Sequence, residues 1–493
     1  MRNSPALLLA VAALAVHWAP AEARQRLPQP DPLAGVPSPP DNPVPGGQVI
    51  EITLDEAVAL GLRRNRTVQA AHLQRAAERF DLYVAERAFA PRGEVRAEVV
   101  RRVSGGVTRS EASVSPGIGL VTPLGTQIDF TWQLTERLGG AGGGLSQSAT
   151  VSVSQPLVRG AGPEVNLAPV RIARLQERIN RLRLEGTVSD TITAIVFAYR
   201  ALMQAQEQVR LADISLERAR ALLETNRRLV EAGRMAAADI VQTESAVAAQ
   251  DVARLQAEQA LNSAQLALTR LLALDPRTNI EAAGPVDAEY VAVDTVRAVR
   301  LALDNRVDVL AQEIAVQQAR QSLVLARDRR RWDVSLFGAV TQRGAEQGLA
   351  EVYEDETDVT AGLRVEIPLG DVSAEQGVVR ARTSLDLAEL RSADLAQAIE
   401  VQVRDAVQQV EARWRQVETA RRARDLAERA LELEQEKLQA GRTSNFEILS
   451  LQAGLRTADI QALAAEIAYL NALTALDQQI GSTLETWRIT LEP

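Results

Sequence analysis

The chain has 493 residues, a net charge of −9 and no cysteine, and 46% of it is apolar while only 3% is aromatic. The acidic balance leaves no basic footprint for nucleic acid, and the missing cysteines exclude disulfides, thiolate metal sites and a lipidated N-terminal cysteine. Few aromatics beside abundant Ala, Leu, Glu, Gln and Arg point to long helices rather than a compact globular core.

The N-terminus reads as an export signal. Arg2 supplies the positive charge, residues 6–16 the apolar run and Ala21-Glu-Ala23 the cleavage site, so residues 1–23 are expected to be removed. That run is too short to cross a bilayer, which takes about 20 apolar residues. Residues 24–48 are a proline-rich, extended linker. Thr53 followed three residues later by Glu56 predicts a capping box and a short helix. A longer helix is expected over 65–89, ending before Pro91. Strands are predicted at 95–103, 112–121, 126–134 and 150–158; residues 126–132 alternate polar and apolar, the period of a half-buried strand. Residues 139–144 read as a glycine-rich loop. A long helix then runs from Asn166 to Gly233 with a heptad seam at Val209, Ala212, Leu216, Ala219, Leu223 and Val230.

The same landmarks return in the same order. Asn65-Arg66 recurs as Asn305-Arg306, Gln155-Pro156-Leu157 as Ile367-Pro368-Leu369, and Ala232-Gly233-Arg234 as Ala440-Gly441-Arg442. The unit is far longer than a solenoid repeat of ~20–50 residues. It divides the chain into a first repeat at 49–285, with strands at about 93–160 and a helical hairpin at about 166–275, and a second at 286–493. The second repeat has strands at about 332–370, with an acidic loop at 351–358 between them, and a helical hairpin at about 374–482. The offset between copies is 240 at Asn65/Asn305 but 212 at Pro156/Pro368, so the first copy holds 28 extra residues, read as an inserted or lengthened hairpin. The second hairpin repeats the seam as Val417, Ala420, Ala427, Leu431 and Leu438, interrupted by Arg424, and its return helix carries Ile460, Leu463, Ile467 and Leu470. The fold expected is mainly α with a small β part, duplicated.

Taken alone, the strands suit either a soluble sandwich or cap, or a membrane barrel, whose strands need only ~9–11 residues. Four to six strands per chain are too few to close a barrel, so spanning strands would have to be shared among several chains.

The ordered, duplicated set of landmarks, with Leu54-Asp55-Glu56-Ala57 at its head, resembles the TolC-like outer membrane efflux protein family over roughly residues 50–485. The resemblance implies a homotrimer in which each chain gives four strands to a twelve-stranded β-barrel in outer-membrane lipid, continued by a long periplasmic α-helical barrel. It implies a passive exit duct for efflux or type I secretion, docked through a periplasmic membrane-fusion adaptor onto an inner-membrane transporter of the RND, ABC or MFS type. The turns at Gly233, Arg234, Gly441 and Arg442 would then be adaptor-docking tips, although a glycine there also suits a plain helix C-cap. Similar proteins narrow the periplasmic mouth with acids, which points to Glu447, with Ser450 where a second acid can stand and Asp239 as the first-copy equivalent. Trp414 and Trp487 read as packing residues.

Catalysis is not expected. The two histidines are His17 and His72, no Gly-x-x-x-x-Gly-Lys-[Ser/Thr] occurs, and no cofactor or metal site is read. The alternatives are a periplasmic adaptor, which should carry one helical hairpin and a lipoyl-like domain, and a structural coiled coil or surface adhesin, which should lack the paired turns.

Overall fold

A computed structural model describes residues 49–490 apart from 106, 139–143, 234, 348–351, 371 and 440–441. The expected signal and linker, most of the glycine-rich loop, Arg234 and Gly441 therefore lie outside the described residues.

Strand β1 (Val49–Ile52) pairs in parallel with β6 (Asn279–Ala282). Helix α1 (Leu54–Arg64) opens on the expected capping box: the Glu56 N–H donates to Thr53 Oγ1 at 3.3 Å and the Thr53 N–H to the Glu56 carboxylate at 2.9 Å. Asn65 then caps α2 (Arg66–Glu86), accepting from the N–H groups of Thr67 and Val68. A 3₁₀ turn and Pro91 deliver the chain into β2 (Arg92–Ser104), β3 (Val107–Val121), β4 (Gln127–Leu138) and β5 (Leu145–Pro156). After the short α3 (Pro163–Asn166), α4 (Ala168–Glu231) runs for 64 residues. At ~1.5 Å per residue it is about 95 Å long. Helix α5 (Ala238–Leu271) returns along it. The second half repeats the plan with α6 (Thr295–Asn305), α7 (Val307–Arg329), β7 (Asp333–Gln347), β8 (Val352–Glu366), the 67-residue α8 (Ser373–Gln439), α9 (Asn445–Ile480) and the terminal α10 (Thr483–Thr486).

Structural equivalence moves the alignment of the repeats by one residue. The N-caps Thr53 and Asp294, the starts of α2 and α7 at 66 and 307, and the starts of β2 and β7 at 92 and 333 all differ by 241. Asn65 thus corresponds to Arg306, not Asn305, and the first copy is longer by 29 residues (241 less 212). The two caps do the same job with different side chains. Asn65 Nδ2 donates to the Leu271 carbonyl at 2.8 Å and the Arg306 guanidinium to the Gln479 carbonyl at 3.3 Å, each fixing a short helix to its return helix.

The cores lie where these short helices and β1–β6 wrap the long hairpins. Ile192, Ile195, Val196 and Leu202 of α4 pack against Ala57, Val58 and Ile280. The buried Tyr199 hydroxyl lies 2.9 Å from the Ile52 carbonyl and 3.0 Å from that of Ala283, tying the strand pair to α4. The second copy uses Tyr469 in the same way: its hydroxyl donates to the Glu289 carbonyl and accepts the Val291 N–H, both at 3.0 Å. Trp414 stacks beside Tyr469 at 5.0 Å and Trp487 packs on the first core. Of the expected seams, Leu216, Ala219, Leu431, Leu463 and Ile467 are buried, whereas Ile460 faces out.

All the remaining strands form one antiparallel sheet in the order β2-β3-β4-β5-β7-β8. Six strands replace the four that the resemblance implied, and the first half contributes four of them against two from the second. The expected acidic loop is corrected as well: β8 starts at Val352, so residues 352–358 are strand. No alternation shows there because the run holds acidic residues at most of its positions.

Candidate functional site

Across its middle the sheet has one apolar and one polar face, because there the registers set apolar residues beside apolar and polar beside polar. One row joins Ile118, Phe130, Val151, Val340 and Val359 across five strands. The next row, on the opposite face, joins Gly117, Thr131, Thr150, Thr341 and Asp358. Within it the Thr150 and Thr341 hydroxyls are 3.1 Å apart. Among the described residues nothing covers the apolar face: Ile118 is 54% exposed, Leu336 54%, Val359 73% and Leu363 60%. In water such a face of large side chains would be strongly unfavourable, at about 25 cal/mol per Å² of apolar surface. It is what a strand set facing hydrocarbon requires, and its strands of 12–15 residues exceed the ~9–11 needed to span.

A glycine-rich junction turns the sheet into the helices. Gly125, at φ 91°, ends the β3–β4 turn, and a Cβ there would lie 2.2 Å from the Gly160 carbonyl oxygen. Asn166 Nδ2 donates to the Gly160 and Gly162 carbonyls at 2.8 Å, and the buried Asp328 carboxylate accepts the Gly160 N–H at 2.9 Å. Arg159 pairs with Asp333 beside it. No helix of the described residues is long and apolar enough to cross a membrane, which says nothing of the sheet.

At the far end of the long helices the two hairpin turns lie together. Gly233 is exposed at φ 66°, the left-handed conformation of a helix C-cap, and its N–H donates to the Val230 carbonyl at 2.9 Å. Arg442 is exposed, and its backbone N–H closes α8 on the Lys437 carbonyl at 2.9 Å. Glu447 and Ser450 are exposed in the first turns of α9, while Asp239 is half-buried in the first turn of α5. Ser444 caps α9 by accepting the Glu447 N–H at 3.3 Å. A carboxylate at this position also suits the positive end of the helix dipole.

The residues that join the two turns escaped the sequence reading. Asn226, Thr243 and Asn445 are buried together at 0%, 0% and 3% exposure. Asn226 Nδ2 donates at 2.8 Å to both Thr243 Oγ1 and Asn445 Oδ1. Asn445 Nδ2 donates to Thr243 Oγ1 at 3.1 Å, and Thr243 Oγ1 to the Asp239 carbonyl at 2.8 Å. This lock ties α4 and α5 to α9 beside an apolar cluster of Leu222, Leu431, Leu438, Ile448 and Leu455. Two signals were available. Asn226 falls on the seam between Leu223 and Val230, where a polar residue fixes register at a cost in stability, and Ser444-x-x-Glu447 is a helix-start signature.

The outer membrane efflux protein family model matches residues 298–482, from α6 to the end of α9. Those residues belong to the outer membrane efflux protein family. The fold of the described residues is similar to that of solved TolC-like outer membrane channels. It superposes on the Campylobacter jejuni CmeC outer membrane channel with a TM-score of 0.67 at 14% identity, covering 87% of this chain and 86% of that one. The Neisseria gonorrhoeae MtrE outer membrane channel in its open state gives 0.66 at 16% identity over 87% and 88%. The outer membrane protein VceC of Vibrio cholerae gives 0.65 at 14% identity over 87% and 96%. No curated protein matches the sequence. Among the described residues no cluster of acidic or histidine side chains could hold a metal ion. The geometry of this fold is a sheet with one apolar and one polar face, mounted on helical hairpins.

Proposed function

We propose that the chain is the outer-membrane exit duct of a tripartite efflux or type I secretion system in a Gram-negative envelope. Three copies surround one pore, with the sheets in the outer membrane and the helical hairpins reaching through the periplasm. The uncovered apolar face of the sheet, backed by a face of Thr, Ser and charged residues, is the observation that carries this reading. The duct is passive; a transporter in the inner membrane supplies the energy, and a periplasmic adaptor docks at the turns around Gly233, Arg234, Gly441 and Arg442. Exposed backbone at Gly233 permits close approach, and arginine side chains supply donors for carbonyls and acids.

Glu447 is proposed as the narrowing of the periplasmic mouth, with Ser450 and Asp239 beside it. Rings of like acids attract cations. Purified protein in planar bilayers is expected to show a small, cation-preferring conductance, and Glu447→Ala to weaken that preference. Absence of any pore from protein recovered in the outer-membrane fraction would overturn the duct. Unchanged selectivity in Glu447→Ala would remove that residue from the mouth. A structural coiled coil or an adaptor does not need a sheet with an uncovered apolar face.

A further inference from the structure

Among the described residues the sheet ends in two unpaired edges, β2 and β8, and we propose that β8 of one copy pairs antiparallel with β2 of the next in one particular register. Arg96 then stands opposite Glu366 and Glu98 opposite Arg364. The inference deepens the duct reading, since it specifies how the wall closes.

Strand parity is the first argument. An even number of antiparallel strands leaves β2 and β8 running in opposite directions, so rotated copies join antiparallel throughout. An isolated edge of this length is otherwise a template for aggregation, and closure removes it.

The internal repeat supplies the register. Inside the chain, β5 and β7 meet across the boundary between the two copies of the unit, with Pro156 opposite Ser335 and Ser154 opposite Phe337. Pro156 corresponds to Pro368, and Ser335 to Glu94 through the offset of 241 shared by the helix caps and strand starts. Carrying the contact over sets Pro368 opposite Glu94 and Glu366 opposite Arg96. The pairing of β5 also continues past Pro156: the Leu157 N–H donates to the Val334 carbonyl at 2.7 Å and the Arg159 N–H to the Trp332 carbonyl at 3.2 Å. The counterpart of Leu157 is Leu369, which is 91% exposed. The neighbour that it should meet in the repeat, Gly93, is on the other free edge.

Side-chain chemistry selects the same register independently. On the polar face it gives Arg96–Glu366 and Glu98–Arg364, both complementary. On the apolar face Val95 meets Ile367, Ala97 meets Val365, Val99 meets Leu363 and Val103 meets Val359. A slip of two residues, the smallest that keeps each face on its side, would set Arg96 opposite Arg364 and Glu94 opposite Glu366. In the single chain these charges are weakly engaged: Arg96 makes an exposed pair with Glu94 at 3.4 Å and Arg364 lies over the Phe337 ring at 5.2 Å.

With three copies the wall holds eighteen strands rather than twelve. Barrel diameter rises nearly in proportion to strand number, so at ~4.8 Å strand spacing and ~45° tilt the radius to the strand axes is about 20 Å against about 13 Å. The added hairpin of the first half thus acts on the bore of the membrane section.

The absence of cysteine makes the test clean. Ala97→Cys with Val365→Cys, and separately Glu98→Cys with Arg364→Cys, place thiols on directly opposed positions of the two faces. Opposed pairs alternate between close and wide spacing, so one of the two faces has the closer geometry, and a disulfide needs Cβ atoms within ~4.5 Å. Outer membranes oxidised with copper phenanthroline and run without reductant are expected to show a ladder ending at three chains for at least one pair. The slipped pair, Ala97→Cys with Leu363→Cys, should stay monomeric. A ladder from the slipped pair alone, or from none of the three in protein that fractionates to the outer membrane and conducts, would overturn the register while leaving the duct intact. Protein missing from that fraction would instead sink the duct reading.

Discussion

Replacing Asn226 with Ala tests whether the buried amide lock holds the periplasmic tip together. The substitution removes the two 2.8 Å hydrogen bonds to Thr243 and Asn445, and leaves Asn445 Oδ1 buried without that donor. Buried hydrogen bonds contribute about 0.5–1.5 kcal/mol each, so the loss is about 1–3 kcal/mol. The loss is local, because α4 remains packed along α5 over the rest of its length. Hydrogen exchange reads such local opening directly. Amides in residues 222–231 and 445–450 should exchange about 5- to 150-fold faster in Asn226→Ala, at 1.4 kcal/mol per tenfold, while the core around Tyr199 is unchanged. Thr243→Val should give a similar loss, and the double variant less than the sum of the two, since the groups share one network. Unchanged protection at the tip would refute the reasoning. So would uniform loss along all of α4, which would mean global rather than local destabilisation.

Gly125→Ala should abolish assembly into the outer membrane, because a left-handed φ costs about 1–2 kcal/mol and the new methyl collides with the Gly160 carbonyl. Gly105→Ala, at φ 58° with open space around it, should assemble, as immunoblots of membrane fractions would show. Val151→Arg on the apolar face should cost about 2–4 kcal/mol in urea unfolding in lipid vesicles, while Ser152→Arg on the polar face should cost little. Burial raises the Asp477 carboxyl above its ordinary value, against the Ser482 hydrogen bond and the Arg200 charge. A raised acid contributes its stability below the unfolded-state value, roughly pH 4, and loses it as pH rises through the folded value. Asp477→Asn should therefore raise the melting temperature at pH 8 and leave it unchanged at pH 3.

Much of this architecture was legible because it is written in local signals. The Thr53–Glu56 box, Pro91 and the Gln155-Pro156-Leu157 and Ile367-Pro368-Leu369 pair each act within a few residues, and the duplication repeated several of the landmarks. What failed depended on neighbours distant in sequence. The acidic run at 354–358 looks like a loop until β7 is laid beside it, with Arg343 2.6 Å from Asp358. Equating Asn65 with Asn305 matched identical residues, yet position at the helix end made Arg306 the functional equivalent. The six strands and the extra hairpin were legible in the alternation and in the excess length of the first copy, whereas the four strands per chain implied by the resemblance left that hairpin out. At the tip, the acids Glu447 and Asp239 stood out as charges, while the uncharged Asn226 and Thr243 were hidden within apparent seams because burial is a tertiary property.

Site-directed spin labelling along β8, from Thr357 to Val365 one cysteine at a time in reconstituted protein, tests the sheet's two faces most directly. Oxygen collides preferentially with labels in lipid and a water-soluble nickel chelate with labels in the pore. The account requires strict alternation, with oxygen favoured at Val359, Ala361, Leu363 and Val365 and nickel at Asp358, Thr360 and Arg364. Labels equally open to the nickel chelate on both faces would mean that the sheet stands in water, and no pore wall could be built from it.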